Sequence, residues 1–133
     1  MNIVIDSDIL IYFLKGHTGI VDKLSAYPSE TIFTTRINYT ELLYGAYNSS
    51  KIEQNLTRIT GFLDLLTILE FDQKASTLFA EDKAKLKRQG LLIADMDLMI
   101  ASITKAHDFS LVTNNLKHFE RIANLKLERW LSM

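Results

Sequence analysis

The chain opens with a short aliphatic run, Ile3-Val4-Ile5, that breaks off directly into Asp6-Ser7-Asp8. Three β-branched residues without polar alternation read as a buried strand. Two carboxylates at the carboxyl end of such a strand are poorly placed for stability. They are well placed for holding a divalent metal, because in parallel α/β sheets ligands bind just beyond the strand ends. The rest of the chain therefore turns on whether later carboxylates converge on that point.

The remaining sequence alternates between helix and strand signals. Residues 9–14 and 20–27 read as helices separated at Gly16, and 31–34 as a strand. Residues 37–47 and 52–66 follow as helices, with Ser50 as an N-cap between them. Residues 67–71 form another strand signal. A helix over 73–89 has Asp72 as its N-cap and Gly90 as its stop. The nearly all-apolar segment 96–105 reads as a buried helix, 110–113 as a strand and 126–128 as a last edge strand before Trp130. This alternation predicts an α/β fold, a three-layer α/β/α sandwich on a mainly parallel sheet. With 133 residues, 47% of them hydrophobic, one domain spanning 1–133 is expected.

Composition narrows the function classes. A formal net charge of -1 supplies no global basic field toward nucleic acid or anionic membranes, so a nucleic-acid partner needs a local basic patch or metal ions. The absence of cysteine removes disulfides and thiolate metal sites. Asp6 and Asp8 interrupt the first apolar stretch too early for a secretory signal, and Asp64, Thr67 and Glu70 break the apolar stretch over 62–71. A soluble cytoplasmic protein with no membrane association is expected.

Several later positions offer oxygen ligands. Asp8 or Ser7 can cap the helix starting at Ile9, but Asp6, directly behind three aliphatics, has no such ready role. Glu41 lies in RINYTELLYGA on a stripe with Ile37, Tyr44 and Gly45, with no cation at helical spacing. Asp95 and Asp97 open the buried helix, where one carboxylate suffices as a cap and the other is spare. Thr113, Asn114 and Asn115 end the strand over 110–113, either as further polar groups at the same sheet edge or simply as a turn. Jointly these place hard oxygen donors at one edge, which suits Mg²⁺ or Mn²⁺ and the hydrolysis of a phosphodiester.

The segments VIDSDILIYFLKG, TELLYGA, RQGLLIADMDLMIAS and LVTNNLKHFERIANLKLERW, in this order and spacing, resemble the PIN-domain nucleases, and among them the VapC toxins of bacterial toxin–antitoxin pairs. The resemblance covers essentially the whole chain. It implies catalytic, metal-holding roles for Asp6, Glu41 and Asp97, and places Asp95 where the family needs no acid. The fourth acid of many relatives corresponds to Asn115, and Asp8 stands where asparagine is usual, so Asp8, Asp95, Asn114 and Asn115 are supporting residues. Ser7 and Thr113 match positions where a hydroxyl is usual and should hydrogen-bond the carboxylates.

The implied activity is a Mg²⁺- or Mn²⁺-dependent endoribonuclease that leaves a 5′-phosphate and a 3′-hydroxyl in structured RNA such as transfer RNA, arresting translation. The implied partners are a small VapB-type antitoxin, a second copy in a homodimer, and a toxin–antitoxin hetero-oligomer that meets operator DNA only through the antitoxin.

Lys83, Lys85, Lys87 and Arg88 crowd the end of one helix. They either answer Glu81 and Asp82 and the helix C-terminus, or contact an RNA backbone, with Lys83, Lys87 and Arg88 as the substrate-binding candidates. His118 and Arg121 are candidates to extend this basic cluster, although the sequence does not locate them relative to the helix. Tyr12, Phe13, Leu14, Leu42, Leu43, Tyr44 and Tyr47 offer more apolar surface than a small core needs, so any that are exposed would form a groove for a partner segment.

Two other readings share these residues. A haloacid-dehalogenase-like phosphatase also begins with an aliphatic strand ending in Asp-x-Asp, but Ile9-Leu10 replace its usual Gly-Thr and Glu41 would be idle. A non-catalytic module that binds metal or a partner is the third reading, and Asn115 is its support.

Overall fold

The computed structural model describes residues 1–131. Its centre is a five-stranded sheet in the order β3-β2-β1-β4-β5, with every neighbouring pair parallel. The strands are β1 (Ile3–Ile5), β2 (Ile32–Thr35), β3 (Thr67–Leu69), β4 (Ser110–Val112) and β5 (Lys126–Glu128). The helices are α1 (Ser7–Leu14), α2 (Thr18–Ser25), α3 (Arg36–Tyr47), α4 (Ile52–Leu63), α5 (Gln73–Gln89), α6 (Asp95–Ala106) and the single turn α7 (Leu116–Phe119).

Alternation along β1 divides the core into two layers. Ile3 and Ile5 pack with Ile9 and Leu10 of α1, Ile20 and Leu24 of α2, Leu42 of α3 and Leu63 of α4. Val4 faces the other way, onto Ala75 and Leu86 of α5, Leu98 and Ile103 of α6, and Phe119 of α7. A sheet covered on both faces is the expected three-layer sandwich, and it explains why β1 carries no polar residue. Among the described residues no helix is long and apolar enough to cross a membrane.

Several local expectations are corrected. Asp6, not Asp8 or Ser7, is the N-cap of α1, its side chain accepting from the Ser7 N–H. Ala94 occupies the cap position of α6 without a side-chain bond, so neither Asp95 nor Asp97 is that helix's cap. Lys51, not Ser50, precedes α4, and it too makes no side-chain cap. α2 starts earlier and stops at Ser25, because His17 Nδ1 accepts the Ile20 N–H at 3.3 Å. α4 ends at Leu63, short of 66. Asp72 and Gly90 do bound α5: Asp72 accepts the Ala75 N–H at 3.0 Å, and Gly90 takes a left-handed φ of 70°. α7 is too short to have left a periodic signal.

Candidate active site

The parallel order brings the carboxyl ends of β1, β2 and β4 side by side, and α1 and α3 start directly from the first two. Asp6 ends β1 and is 6% exposed. Both of its oxygens are engaged. Oδ1 accepts the Ser7 N–H at 2.8 Å and Asn38 Nδ2 at 3.0 Å, while Oδ2 accepts the Thr113 hydroxyl at 2.7 Å.

Glu41 lies one turn beyond Asn38 on α3. Its Oε1 accepts the Ser7 hydroxyl at 2.7 Å, and Ser7 Oγ in turn accepts from Asn38 Nδ2 at 2.9 Å. Asn38 is held by a capping box, in which its N–H donates to Thr35 Oγ1 while its side-chain oxygen accepts the Thr35 N–H at 3.4 Å, and that oxygen also accepts the Thr35 hydroxyl at 2.7 Å. One buried amide thus fixes Asp6 and Ser7, and through Ser7 it fixes Glu41.

Asp97 approaches from the first turn of α6, where the helix N-terminus favours negative charge. His118 of α7 sets its Nδ1 3.8 Å from Asp97 Oδ2, and the same nitrogen lies 3.2 Å from Asn115 Nδ2. Asn115 donates its own N–H to Thr113 Oγ1 at 3.0 Å, which continues the network to Asp6. Asp8 reaches across from α1 to accept the Asn114 N–H at 3.0 Å, as well as that of Ile9 at 2.7 Å.

Electrostatics show that these carboxylates share one environment. Burial, and then the charge of Asp6, push Asp8 up to about 6. Glu41 is raised by burial, then by Asp6 and Asp97, against the lowering effect of the Ser7 hydroxyl. Asp97 is raised by burial and by Asp6, with His118 pulling the other way. Among the described residues, no Lys or Arg forms an ion pair with any of these acids. Negative charge gathered and desolvated without a cation is a site that gains by taking one up. The donors are carboxylate oxygens, the hard set that Mg²⁺ or Mn²⁺ accepts while keeping several waters. Among the described residues no three His, Cys, Asp or Glu side chains are grouped closely enough to hold a metal ion.

Asp95 stands apart from this network. It pairs with Lys83 of α5 at 2.9 Å, and both side chains are substantially exposed. Lys83 therefore answers Asp95, and the expected Asp82 partner is taken instead by Lys105, at 2.7 Å in a buried pair. Lys87 and Arg88 are exposed in the last turn of α5. Arg121 donates to the Leu92 carbonyl at 3.2 Å, bracing the connection between α5 and α6.

Two residues of the network are not read from the sequence as part of the acidic site: Asn38 is not singled out there, and His118 is named only beside the basic cluster. Asn38 left a usable signal, since it precedes Glu41 by three positions and so shares its helix face. His118 left none, because α7 has no period to read. The phosphatase reading leaves Glu41 idle, whereas here Glu41 joins the same network as Asp6 through Ser7 and Asn38.

Apolar surface flanks the acids. Ile11, Leu14, Leu42 and Ile59 line a groove of about 220 Å³, with Glu41 at its wall and Lys15 and Arg58 beside it. Tyr44 and Tyr47 are 67% and 61% exposed on α3, whereas Leu42 is buried and Phe13 stacks on Phe62.

Comparison with known proteins agrees with this architecture. The PIN-domain family model matches residues 3–125. Ribonuclease VapC2 of Rickettsia felis is 37% identical over 129 residues, 96% of each chain. The tRNA(fMet)-specific endonuclease VapC of Shigella flexneri is 31% identical over 130 residues, 98% of each. Among solved structures, a chain of Rickettsia felis VapBC2 bound to a DNA fragment from its promoter superposes with a TM-score of 0.90 at 35% identity, covering 98% of this chain and 100% of that one. The chain belongs to the PIN-domain family and, within it, to the VapC ribonucleases.

Proposed function

We propose that this chain is a divalent-metal-dependent endoribonuclease toxin that cuts structured RNA, transfer RNA included, and is neutralised by a VapB-type antitoxin. The observation that carries this reading is the meeting of Asp6, Glu41 and Asp97 at one sheet edge, mutually repelling and without a Lys or Arg partner. Its relatives named as ribonucleases and as a transfer-RNA endonuclease support RNA as the substrate class.

Asp6, Glu41 and Asp97 would hold Mg²⁺ or Mn²⁺. When bound, such an ion lowers the pKa of water and neutralises phosphate charge, the two requirements of phosphodiester hydrolysis at neutral pH. The remaining work falls to the protein. Asn38, Thr113 and the Ser7 N–H prevent Asp6 from rotating, so its carboxylate is in place before substrate arrives. Ser7 donates to Glu41 and favours its ionised form against burial. The α6 N-terminus does the same for Asp97. Lys83, Lys87 and Arg88 offer positive charge to the RNA backbone beside this edge, with Lys83 partly engaged by Asp95.

The antitoxin is proposed from the VapBC complex among the structural neighbours and from the groove beside Glu41, whose apolar floor suits an amphipathic segment. Homodimerisation, operator contact through the antitoxin alone, and action in the cytoplasm, where the RNA lies, belong to the same proposal.

The test is incubation of the purified, partner-free chain with total RNA and Mg²⁺ or Mn²⁺, followed by sequencing of new 5′-phosphate ends. Discrete cuts that vanish with Asp6→Asn and with chelator are expected. A folded protein that binds metal yet makes no cuts would replace the enzyme with the non-catalytic binding module, the reading that Asn115 favours.

A further inference from the structure

We infer that Tyr44 and Met96 form a stacking subsite for one unpaired nucleobase of the RNA, beside the phosphate that is cut. The inference rests on the ribonuclease reading above and deepens it, by saying where the nucleotide next to the cut lies.

The first ground is place. Thr40, Glu41 and Tyr44 of α3 and Met96 of α6 surround an open recess of about 530 Å³. It adjoins the acids from two elements, since Glu41 is one of its walls and Met96 precedes Asp97 in the first turn of α6. Tyr44 follows Glu41 by three residues, about 4.5 Å along the helix axis. A phosphodiester held at the acids therefore has this recess within reach of its own nucleotide.

The second ground is the chemistry of the walls. Tyr44 is 67% exposed and Met96 40%. Among the described residues the Tyr44 ring stacks on no other aromatic group. The Thr40 hydroxyl is spent on its own helix, donating to the Arg36 carbonyl at 2.8 Å. Among the described residues no Lys or Arg lines the recess, so a backbone phosphate finds no partner there and Glu41 repels it. A free π face beside a polarizable thioether suits a flat, uncharged aromatic group. Every nucleobase has such a face, and single strands are commonly held by it. The base must be unpaired to reach it.

The third ground is the poor fit of other occupants. Leu42 and Gly45 lie on one side of Glu41 around α3, and Thr40 and Tyr44 on the other. An amphipathic antitoxin segment has the first side, where the groove lined by Ile11 and Leu14 has Lys15 and Arg58 beside it. A second copy of the chain needs about 800 Å² per partner, far more than four side chains supply. A two-fold contact through them would also set two Glu41 carboxylates in one interface.

The experiment uses a synthetic oligoribonucleotide spanning a cut mapped by the sequencing above, intact or lacking the base of either nucleotide that flanks the cut. Binding is read by fluorescence anisotropy on the full chain carrying Asp6→Asn to prevent cleavage, with Tyr44 retained or as Tyr44→Ala, Tyr44→Phe or Tyr44→Leu. Removing one of the two bases should weaken binding on the order of tenfold with Tyr44 present and hardly at all in Tyr44→Ala. Such non-additivity marks a direct contact. Tyr44→Phe should restore the difference and Tyr44→Leu should not. Tyr47→Ala, on the same helix but about 9 Å from Glu41 along its axis, should leave it unchanged. With Asp6 intact, single-turnover cleavage by Tyr44→Ala should need about tenfold more enzyme for half-saturation at a similar limiting rate.

Equal losses on base removal with and without Tyr44 would overturn the inference and leave the ribonuclease reading standing. A dimer that becomes monomeric on Tyr44→Ala in sedimentation would overturn it too, by giving the patch to a second copy. Failure of the chain with Asp6 intact to make any cut would overturn both. The single-turnover measurement decides the matter should the Asp6→Asn protein not fold.

Discussion

The side-chain amide of Asn38 donates to Asp6 Oδ1 at 3.0 Å, linking the first turn of α3 to the end of β1 across 32 positions of sequence. The same Nδ2 reaches Ser7 Oγ at 2.9 Å, so one fully buried group orients two separate arms of the acidic site. Asn38→Ala removes both donors and the capping box. It should cost about 2–3 kcal/mol of stability, and RNA cleavage should fall by roughly 10–100-fold. Denaturant unfolding and single-turnover cleavage measure the two effects separately. Cleavage at the wild-type rate in the folded variant would remove Asn38 from the site's support.

Ser7→Ala tests the hydroxyl that favours ionised Glu41. Without that donor Glu41 should rise further above its ordinary value, because burial, Asp6 and Asp97 then act unopposed. If ionised Glu41 is required, the acid limb of the cleavage pH profile moves to higher pH. An unmoved limb would mean that Glu41 does not control it.

Asp8 gives the metal-free protein a pH-dependent stability. Its carboxyl is raised to about 6 in the folded chain from an ordinary value of 3.8, so the folded state binds the extra proton between those values. The contribution is fully present below pH 3.8 and is lost as pH rises through 6. Its size is on the order of 1 kcal/mol, once solvent screening of a partly exposed group is allowed for. Asp8→Asn should flatten this part of the stability profile measured by urea unfolding between pH 4 and 7.

The buried pair of Lys105 and Asp82 joins α6 to α5 at 2.7 Å. Lys105→Met strands a buried carboxylate and should cost about 3–5 kcal/mol, while the double variant Lys105→Met, Asp82→Leu should recover most of that loss. Thermal unfolding of both variants distinguishes a structural tie from a functional one, since neither residue touches the acidic site. A single variant as stable as wild type would show that the pair contributes nothing.

Positive charge on α5 should be visible in RNA binding under conditions that prevent cleavage. Lys87→Ala and Arg88→Ala are each expected to shallow the slope of log affinity against log salt by about 0.7. Lys83→Ala should do less, since Asp95 already occupies that ammonium. Identical slopes in all variants would place the RNA elsewhere.

What the sequence made legible follows from where each signal sits. Asp6 and Glu41 stand out because each is a carboxylate on an otherwise apolar stripe, an anomaly that needs no neighbour to be noticed, whereas only the resemblance to the PIN-domain family separates Asp97 from Asp95. The layers were readable for a similar reason: β1 lacks polar alternation, and α6 is apolar almost all round. Asn38 is an ordinary polar residue at a helix start, and its importance appears only once α3 packs against β1. The capping roles of Asp6 and Ala94 were misread because a side chain able to cap does so only if the backbone enters the helix at its position. Lys83, Lys85, Lys87 and Arg88 read together as answering Glu81 and Asp82, yet Lys83 and Asp82 both take partners from α6. Local rules do not rank a near neighbour against a distant one.

The position of β1 in the sheet also bears on synthesis. The first of the five strands to be synthesised lies in the middle of the finished sheet, between β2 and β4. Asp6 must wait for Thr113, which is 107 positions downstream, before its second oxygen is held. Pairings this distant in sequence form late, after much of the chain has been made. A growing chain thus carries its acids long before it carries a working site.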